Sequence, residues 1–333
     1  MTVQIVVEER SQVAQARREA VALARRLSID DAVADRLGLV VTETATNLVK
    51  HGTGGRLLVS PLPAGGIVGV EVIAIDNGPG MQNITASMRD GHSTAGSPGL
   101  GLGSISRLAS NLDIYSQKDV GTVMRFEVWG AAGLPPTAAS FGGVCIAKPG
   151  EDVAGDAWTM QAADGQWRML VVDGLGHGTG AATAAQAALR VAEQAAALDP
   201  VALLESLHGA LRTTRGAAAA AATVAPHAAK GVFAGIGNIR GLVHTHDGER
   251  NLVSHNGTLG HQVRKFQAFE FTFAKRALLV MHSDGIATHW NFSAYPGLTR
   301  HHPAVIAATI YRDHARIRDD ATVAVLRNDA GPR

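Results

Sequence analysis

Hydrophobic and polar positions change their spacing several times along this chain of 333 residues. Apolar residues recur with helical spacing over 11–27 and over 30–50, where Asp30 and Asp31 can cap the second helix. Short apolar or alternating stretches, which predict strands, lie at 2–7, 57–60, 69–75, 113–116 and 122–129. A helix is expected over 105–112, whereas 78–103 shows no sustained periodicity. Residues 1–130 therefore predict one α/β unit with a long loop, and long loops are uncommon unless they are functional.

A different pattern follows the Gly-, Pro- and Ala-rich segment 131–140, which is expected to be a linker. Helices are predicted at 180–198 and 200–213. The predicted strands lie at 141–147, 156–163, 167–172, 231–237, 240–246, 268–273, 277–282 and 321–327. The alanine run 217–222 fits either element, because alanine favours a helix whereas the residues around the run favour a strand. The pattern predicts an α+β fold with a second domain over 141–329.

Composition narrows the classes of function. A hydrophobic content of 46% in a chain of this length supports two separate cores. The 30 basic and 29 acidic residues nearly balance and form no basic run, so nucleic acid is not expected as a partner. The start of the chain does not resemble a signal peptide, and no apolar stretch reaches the roughly 18 residues of a membrane span. We expect a cytoplasmic protein without a membrane contact, and its single cysteine, Cys145, excludes an intrachain disulfide.

Two polar motifs in the first unit suggest a nucleotide site. Glu43 and Asn47 lie four residues apart and share one face of the predicted helix. The glutamate can act as a general base and the asparagine oxygen can ligate Mg²⁺. Asp76 ends a predicted strand, and Gly78 and Gly80 after it allow a ligand to approach closely. The Asp76 carboxylate could accept a hydrogen bond from an adenine amino group.

A glycine-rich motif completes this pattern. Gly99, Gly101 and Gly103 directly precede the helix predicted over 105–112, and the backbone N–H groups at a helix start favour phosphate. Each motif alone has an ordinary explanation, such as a solvated helix face or an Asp-Asn-Gly turn. The three motifs in this order predict a site for ATP.

These motifs resemble those of the GHKL ATP-binding fold, which is shared by histidine-kinase catalytic domains, gyrase and heat-shock protein 90. The nearest resemblance is to small bacterial anti-sigma factors and switch serine kinases, with 41–51 as the N box, 76–80 as the G1 box and 99–103 as the G2 box. It implies a Bergerat α/β sandwich over 1–130, with 81–98 as the ATP lid. It also implies Asn47 on Mg²⁺, Asp76 on adenine, Thr122 near the adenine pocket and Glu43 as the base for phosphorylating a serine or threonine.

Four aspartates beside glycines or paired with a second aspartate lie at the ends of strands predicted in the second half. They are Asp156, Asp173, Asp284 and Asp319. Carboxylates on separate strands can hold two divalent ions around a bridging water, so that hydrolysis needs no protein nucleophile. One such motif alone more often forms a turn, but four in one domain predict that they converge. A zinc site at His177 is disfavoured because no second histidine lies at metal-ligand spacing. A triad based on Ser283 is disfavoured because neighbouring residues on one strand point apart.

The second half resembles the PPM family of metal-dependent Ser/Thr phosphatases, in its SpoIIE-like stress-response branch. The resemblance extends from Phe141 to Thr322 and rests on the motifs around these four aspartates. It implies an αββα sandwich over 141–329. It also implies that the four aspartates are Mn²⁺ or Mg²⁺ ligands, assisted by the Gly174 carbonyl.

Together the two resemblances predict a bifunctional partner-switching regulator. Its ATP-binding half would phosphorylate a STAS-domain anti-sigma-antagonist, and its phosphatase half would remove that phosphate. One alternative is an anti-sigma factor that sequesters a sigma factor, with nucleotide binding regulating the attached phosphatase. Another is that one half is a regulatory relic. A homodimer is compatible with the sequence.

Overall fold

The computed structural model describes residues 2–64, 67–88, 101–130, 139–195 and 198–330. The chain forms two compact units, Met1–Pro135 and Pro136–Arg333. Among the helices in these described ranges, none has the length and apolar character needed to cross a membrane.

The first unit is an α/β sandwich built on one antiparallel sheet. Its elements are β1 (Val3–Val6), α1 (Arg10–Arg26), α2 (Asp31–His51), β2 (Arg56–Ala64), β3 (Ile67–Asp76), α3 (Ile84–Ser87), α4 (Gly101–Leu108), β4 (Asn111–Gln117) and β5 (Gly121–Trp129). The strand order is β1-β2-β3-β5-β4. Alternate residues of the strands, such as Val72 and Phe126, form a buried core with Leu37 and Val40 of α2. Asp30 caps α2 by accepting a hydrogen bond from the Ala32 amide.

The helix expected over 105–112 lies earlier in the chain than predicted. It begins at Gly101 and ends at Leu108. The prediction was wrong at both ends. The helix ends early because the Ser110 amide donates to the Glu127 carbonyl at 2.8 Å, which draws the chain into the sheet before β4 begins. The residues expected to link the units lie mostly outside the described part, and the last two of them already belong to a strand of the second unit.

The second unit contains two five-stranded antiparallel sheets. Its elements are β6 (Ala139–Ile146), β7 (Asp156–Ala163), β8 (Gln166–Gly174), α5 (Thr179–Gln194), α6 (Pro200–Ala210), β9 (Ala217–Ala225), β10 (Lys230–Ile236), β11 (Arg240–Thr245), β12 (Gly248–Leu252), β13 (Gly257–Thr258), β14 (Gln262–Val263), β15 (Phe269–Thr272), β16 (Leu278–His282), α7 (Pro303–His314) and β17 (Ala321–Asn328). The first sheet has the order β15-β10-β9-β8-β7, and the second has the order β12-β11-β16-β17-β6.

The two sheets form the middle layers of an αββα sandwich, which confirms the predicted fold class. Met169 on β8 and Leu279 on β16 belong to the buried core between the sheets. Leu170, the next residue on β8, faces the other way and packs with Ala188 and Leu204 of α5 and α6. Helix α7 packs on β6 and β17 of the second sheet.

Two elements show where tertiary packing determined the outcome. The alanine run forms strand β9, because pairing with both β8 and β10 outweighs the helix propensity of alanine. Helix α7 was not predicted, because every residue from Pro303 to Tyr311 is buried. A helix that is buried on all sides lacks the one-sided apolar stripe by which sequence patterns reveal helices.

Candidate functional site

The four predicted aspartates lie at the same end of the second unit, two from each sheet. Asp156 opens β7 and is the direct cross-strand neighbour of Asp173 on β8. Asp284 follows β16 and Asp319 precedes β17, which pairs with β16 in the second sheet. Asp173 lies close enough to the other three aspartates that their negative charges raise its pKa. The structure therefore brings the four carboxylates together.

These carboxylates repel one another. Burial, and after it the negative charges of the neighbouring aspartates, together raise the pKa of Asp173 to about 9. The pKa of Asp156 is raised to about 7, mainly by burial, and this value already includes the opposing effect of a hydrogen bond from Ser283. The pKa of Asp319 is raised first by burial and then by the charge of Asp284. Such hard oxygen donors, crowded by like charges, suit divalent cations.

The spacing of these side chains is wider than that of a closed ion site. Within the described ranges, no group of three or more His, Cys, Asp or Glu side chains is already gathered tightly enough to hold an ion. The aspartates would have to close around a cation in order to share it.

The turn after β8 brings the predicted backbone ligand to the same place. Gly174 ends β8, and its amide donates to the Gly155 carbonyl at 3.1 Å. A side chain at Gly174 would collide with the Ala181 carbonyl oxygen and would lie 2.8 Å from the Gly155 oxygen. This packing requires glycine between Asp173 and helix α5.

Three neighbours of the aspartates were not predicted as functional residues. Asn238 donates to Asp284 Oδ2 at 2.7 Å, and Ser283 Oγ donates to Asp156 Oδ2 at 2.6 Å. Asp320 accepts backbone N–H groups through both of its carboxylate oxygens. The pair of adjacent aspartates, Asp319 and Asp320, was visible in the sequence. The sequence did not show which of the two faces the other carboxylates.

His177 lies in the loop between β8 and α5. Its Nδ1 is 2.6 Å from Glu151 Oε1, and about half of its side chain is exposed. The pair lies at the surface near the acidic end and is a histidine–carboxylate contact.

The predicted nucleotide residues of the first unit lie on α2 and at the end of β3, which the last turn of α2 contacts. Glu43 and Asn47 lie on α2 and are partly buried. Asp76 ends β3 and is the direct cross-strand neighbour of Thr122 on β5. A side chain at Gly78 would lie 2.6 Å from the His51 carbonyl oxygen, so the glycine-rich turn packs against the last turn of α2.

Asp76 also makes the turn that its sequence context suggested. Its Oδ1 accepts the Gly78 amide at 2.7 Å, which fixes the carboxylate. The Thr122 hydroxyl lies 2.9 Å from the Ser116 hydroxyl, and Ser116 Oγ in turn accepts the Met81 amide at 2.8 Å. These bonds anchor the chain where it leaves Gly80.

The predicted phosphate loop is only partly described. Gly99 and residues 89–98 of the expected ATP lid lie outside the described residues. Gly101 and Gly103 lie within the first turn of α4 rather than before the helix, which corrects their predicted placement.

Comparison with known proteins matches both units. Residues 163–329, half of the chain, match the model of the stage II sporulation protein E (SpoIIE) family, and the chain belongs to that family. Residues 6–128 match the histidine kinase-like ATPase domain. The fold and these matches define a protein with a histidine kinase-like ATPase domain followed by a PPM-type Ser/Thr phosphatase domain.

Two curated relatives each match less than half of the chain. The chain is 27% identical over 140 residues to phosphoserine phosphatase RsbX of Bacillus subtilis, which covers 42% of this chain and 70% of RsbX. It is 31% identical over 94 residues to serine/threonine-protein kinase RsbT of the same organism, which covers 28% of this chain and 71% of RsbT.

Solved structures that cover more than half of the chain share its fold. One from work on the bacterial stressosome, described as a modular system adapted to control secondary messenger signaling, has a TM-score of 0.54 and 28% identity. It covers 57% of this chain and all of that chain. A crystal structure of RsbX in complex with magnesium shares the fold, with a TM-score of 0.50, 22% identity and coverage of 58% of this chain and 97% of that one.

Proposed function

We propose that this chain is a bifunctional partner-switching regulator. Residues 1–130 would use ATP to phosphorylate a serine or threonine of a STAS-domain protein of the anti-sigma-antagonist type. Residues 141–329, preceded by a linker that lies within 131–140, would remove that phosphate. The observation that supports this most directly is the convergence of Asp156, Asp173, Asp284 and Asp319 in a chain that also has a histidine kinase-like ATPase domain.

In the phosphatase unit the four aspartates, with the Gly174 carbonyl, would hold two Mn²⁺ or Mg²⁺ ions. Bound ions of this kind activate a water molecule and neutralise charge on the phosphoryl oxygens. The chain's own contribution is to orient the ligands. Asn238 fixes one oxygen of Asp284, and Ser283 fixes one oxygen of Asp156. The similarity to a phosphoserine phosphatase, RsbX, which has been crystallised with magnesium, supports this assignment.

In the kinase unit Asn47 would bind the Mg²⁺ that accompanies ATP, and Asp76 would accept a hydrogen bond from the adenine amino group. Glu43 would take the proton from the partner's hydroxyl group as its oxygen attacks the γ-phosphorus, while the bond from that phosphorus to the β,γ-bridging oxygen breaks and ADP leaves. Glu43 lies one helical turn before Asn47, so base and cation would act on the same side of the nucleotide. The similarity to the kinase RsbT supports this half of the proposal.

The proposal is tested with the full chain and a STAS-domain protein from the same genome. With Mg²⁺ and labelled ATP we expect label to enter the partner, and with Mn²⁺ and the phosphorylated partner we expect phosphate release. Glu43→Ala should abolish only the first reaction, and Asp173→Asn only the second. If the wild-type chain performs neither reaction but binds a sigma factor, sequestration replaces the proposal.

A further inference from the structure

A buried serine joins the two sheets where the aspartates lie. Ser283 follows β16 in the second sheet, is fully buried, and donates its Oγ–H to Asp156 Oδ2 in the first sheet at 2.6 Å. The same Oγ accepts the Thr322 amide of β17 at 3.0 Å. A hydroxyl group has one proton to donate, and an ionised carboxylate can only accept. The Ser283 proton is therefore committed to Asp156.

Asp320 makes a second connection of the same kind. Its side chain is buried, and its Oδ1 and Oδ2 accept the amides of Lys148 and Gly155, each at 2.7 Å. Gly155 immediately precedes Asp156, and a side chain there would lie 2.8 Å from Asp320 Oδ2. Both Asp320 oxygens thus hold the backbone that leads into β7.

The two connections are arranged symmetrically about the candidate metal ligands. Ser283 precedes Asp284 in the chain and binds Asp156. Asp320 follows Asp319 and binds the residue before Asp156. Each ligand of the second sheet therefore has a direct neighbour that is tied to the first sheet.

We propose that Ser283 and Asp320 are positioning residues that set the separation between Asp156 and the two aspartates of the second sheet, and thereby tune the affinity for divalent cations. This inference rests on the proposed phosphatase function. Four carboxylates that repel one another do not hold a fixed separation unaided. Hydrogen bonds from outside the ligand set supply that restraint, and such bonds orient the ligands of metal sites generally.

The test is calorimetric titration of Mn²⁺ into the full, metal-free chain without nucleotide, so that binding is measured apart from turnover. Loss of an outer hydrogen bond of this kind typically weakens metal binding about 10- to 100-fold, and we expect this for Ser283→Ala. Asp320→Asn should also weaken Mn²⁺ binding. Asparagine has only one side-chain oxygen, so its NH₂ group would face one of the two backbone N–H groups and could not accept a hydrogen bond from it.

Two further variants separate positioning from stability. Ser283→Cys keeps a weak donor and should bind Mn²⁺ with intermediate affinity. Thr309→Val removes another fully buried hydroxyl, one that donates to the Val305 carbonyl of its own helix, and should leave the affinity unchanged. The inference is overturned if Ser283→Ala and Asp320→Asn lower the unfolding temperature while the Mn²⁺ affinity stays at the wild-type value. A wild-type chain that binds no Mn²⁺, or that binds it as well after Asp173→Asn, would instead refute the proposed function.

Discussion

Neutralising Asp173 should make the metal-free protein more stable while removing its phosphatase activity. Burial and neighbouring aspartates raise the pKa of Asp173 from its ordinary 3.8 to about 9. The folded state therefore binds this proton more tightly than the unfolded chain does. The stabilisation that this bound proton provides is complete at pH values below the pKa of Asp173 in the unfolded chain. It is lost as the pH rises through the pKa of Asp173 in the folded state. Wild-type stability without metal should fall between about pH 4 and pH 9.

The expected gain in the free energy of unfolding follows from how far pH 7 lies above the pKa of Asp173 in the unfolded chain. At pH 7 the carboxyl group is about three pH units above its unfolded pKa, and each unit corresponds to about 1.4 kcal/mol. The full effect would be on the order of 4 kcal/mol, but Asp156 shares it because interacting acids titrate together. We therefore expect Asp173→Asn to raise the free energy of unfolding at pH 7 by about 2–4 kcal/mol.

The measurement is urea unfolding at pH 7 in a metal chelator and again in Mn²⁺. Tryptophan fluorescence can follow it, because three of the four tryptophans, Trp158, Trp167 and Trp290, lie in the second unit. Excess Mn²⁺ should stabilise the wild type, since a ligand stabilises the state that binds it. Asp173→Asn should gain little stability from Mn²⁺. Its higher free energy of unfolding in chelator, relative to the wild type, should therefore shrink or reverse in Mn²⁺.

A matched substitution is available in the same hairpin. Asp164 is exposed in the turn between β7 and β8, at the opposite end of these strands from Asp173. Its backbone has a φ of 53°, which asparagine tolerates, so Asp164→Asn should change neither stability nor the response to Mn²⁺. The reasoning is refuted if Asp173→Asn is no more stable than wild type in chelator and gains as much from Mn²⁺.

Three other substitutions test the first unit. Glu43→Gln should abolish phosphate transfer from ATP while a fluorescent ATP analogue still binds, because only the base is removed; persistent transfer would contradict its role. Gly121→Ala should weaken binding of that analogue, because the added methyl group would overlap the carbonyl oxygen at the end of β3; unchanged binding would place the nucleotide elsewhere. Arg125→Leu should lower the free energy of unfolding by about 3–5 kcal/mol, measured in urea, because Glu71 and Glu127 would lose their buried partner. A much smaller loss would show that these glutamates find other compensation.

Sequence patterns predicted the elements that have one apolar side. The apolar spacing over 30–50 predicted the length of α2 closely, and Val40, Val41 and Leu48 on its apolar side are buried. Helix α7 could not be found in this way, because packing surrounds it completely. The alanine strand β9 was ambiguous, because its conformation is fixed by its neighbours and not by its own propensity.

The aspartates of the candidate site could be predicted because Asp-Gly motifs at strand ends are visible in one dimension. The contacts that support these aspartates could not be predicted from the sequence. Ser283 and Asp156 are 127 positions apart, and their contact exists only because two sheets pack at a particular spacing. Ser283 also shows why adjacency in sequence misleads, since its hydroxyl group bonds to Asp156 and not to Asp284 beside it.

The central claim is that one chain adds and removes the same phosphate at two separate sites. The most direct test follows the phosphorylation of one STAS-domain partner by the wild type, Glu43→Ala and Asp173→Asn, with Mg²⁺-ATP and then with Mn²⁺ after ATP is removed. We predict that Asp173→Asn leaves the partner phosphorylated, that Glu43→Ala never phosphorylates it but strips phosphate from partner prepared separately, and that the wild type does both. Loss of both activities in either single variant, or loss of neither, would contradict the account.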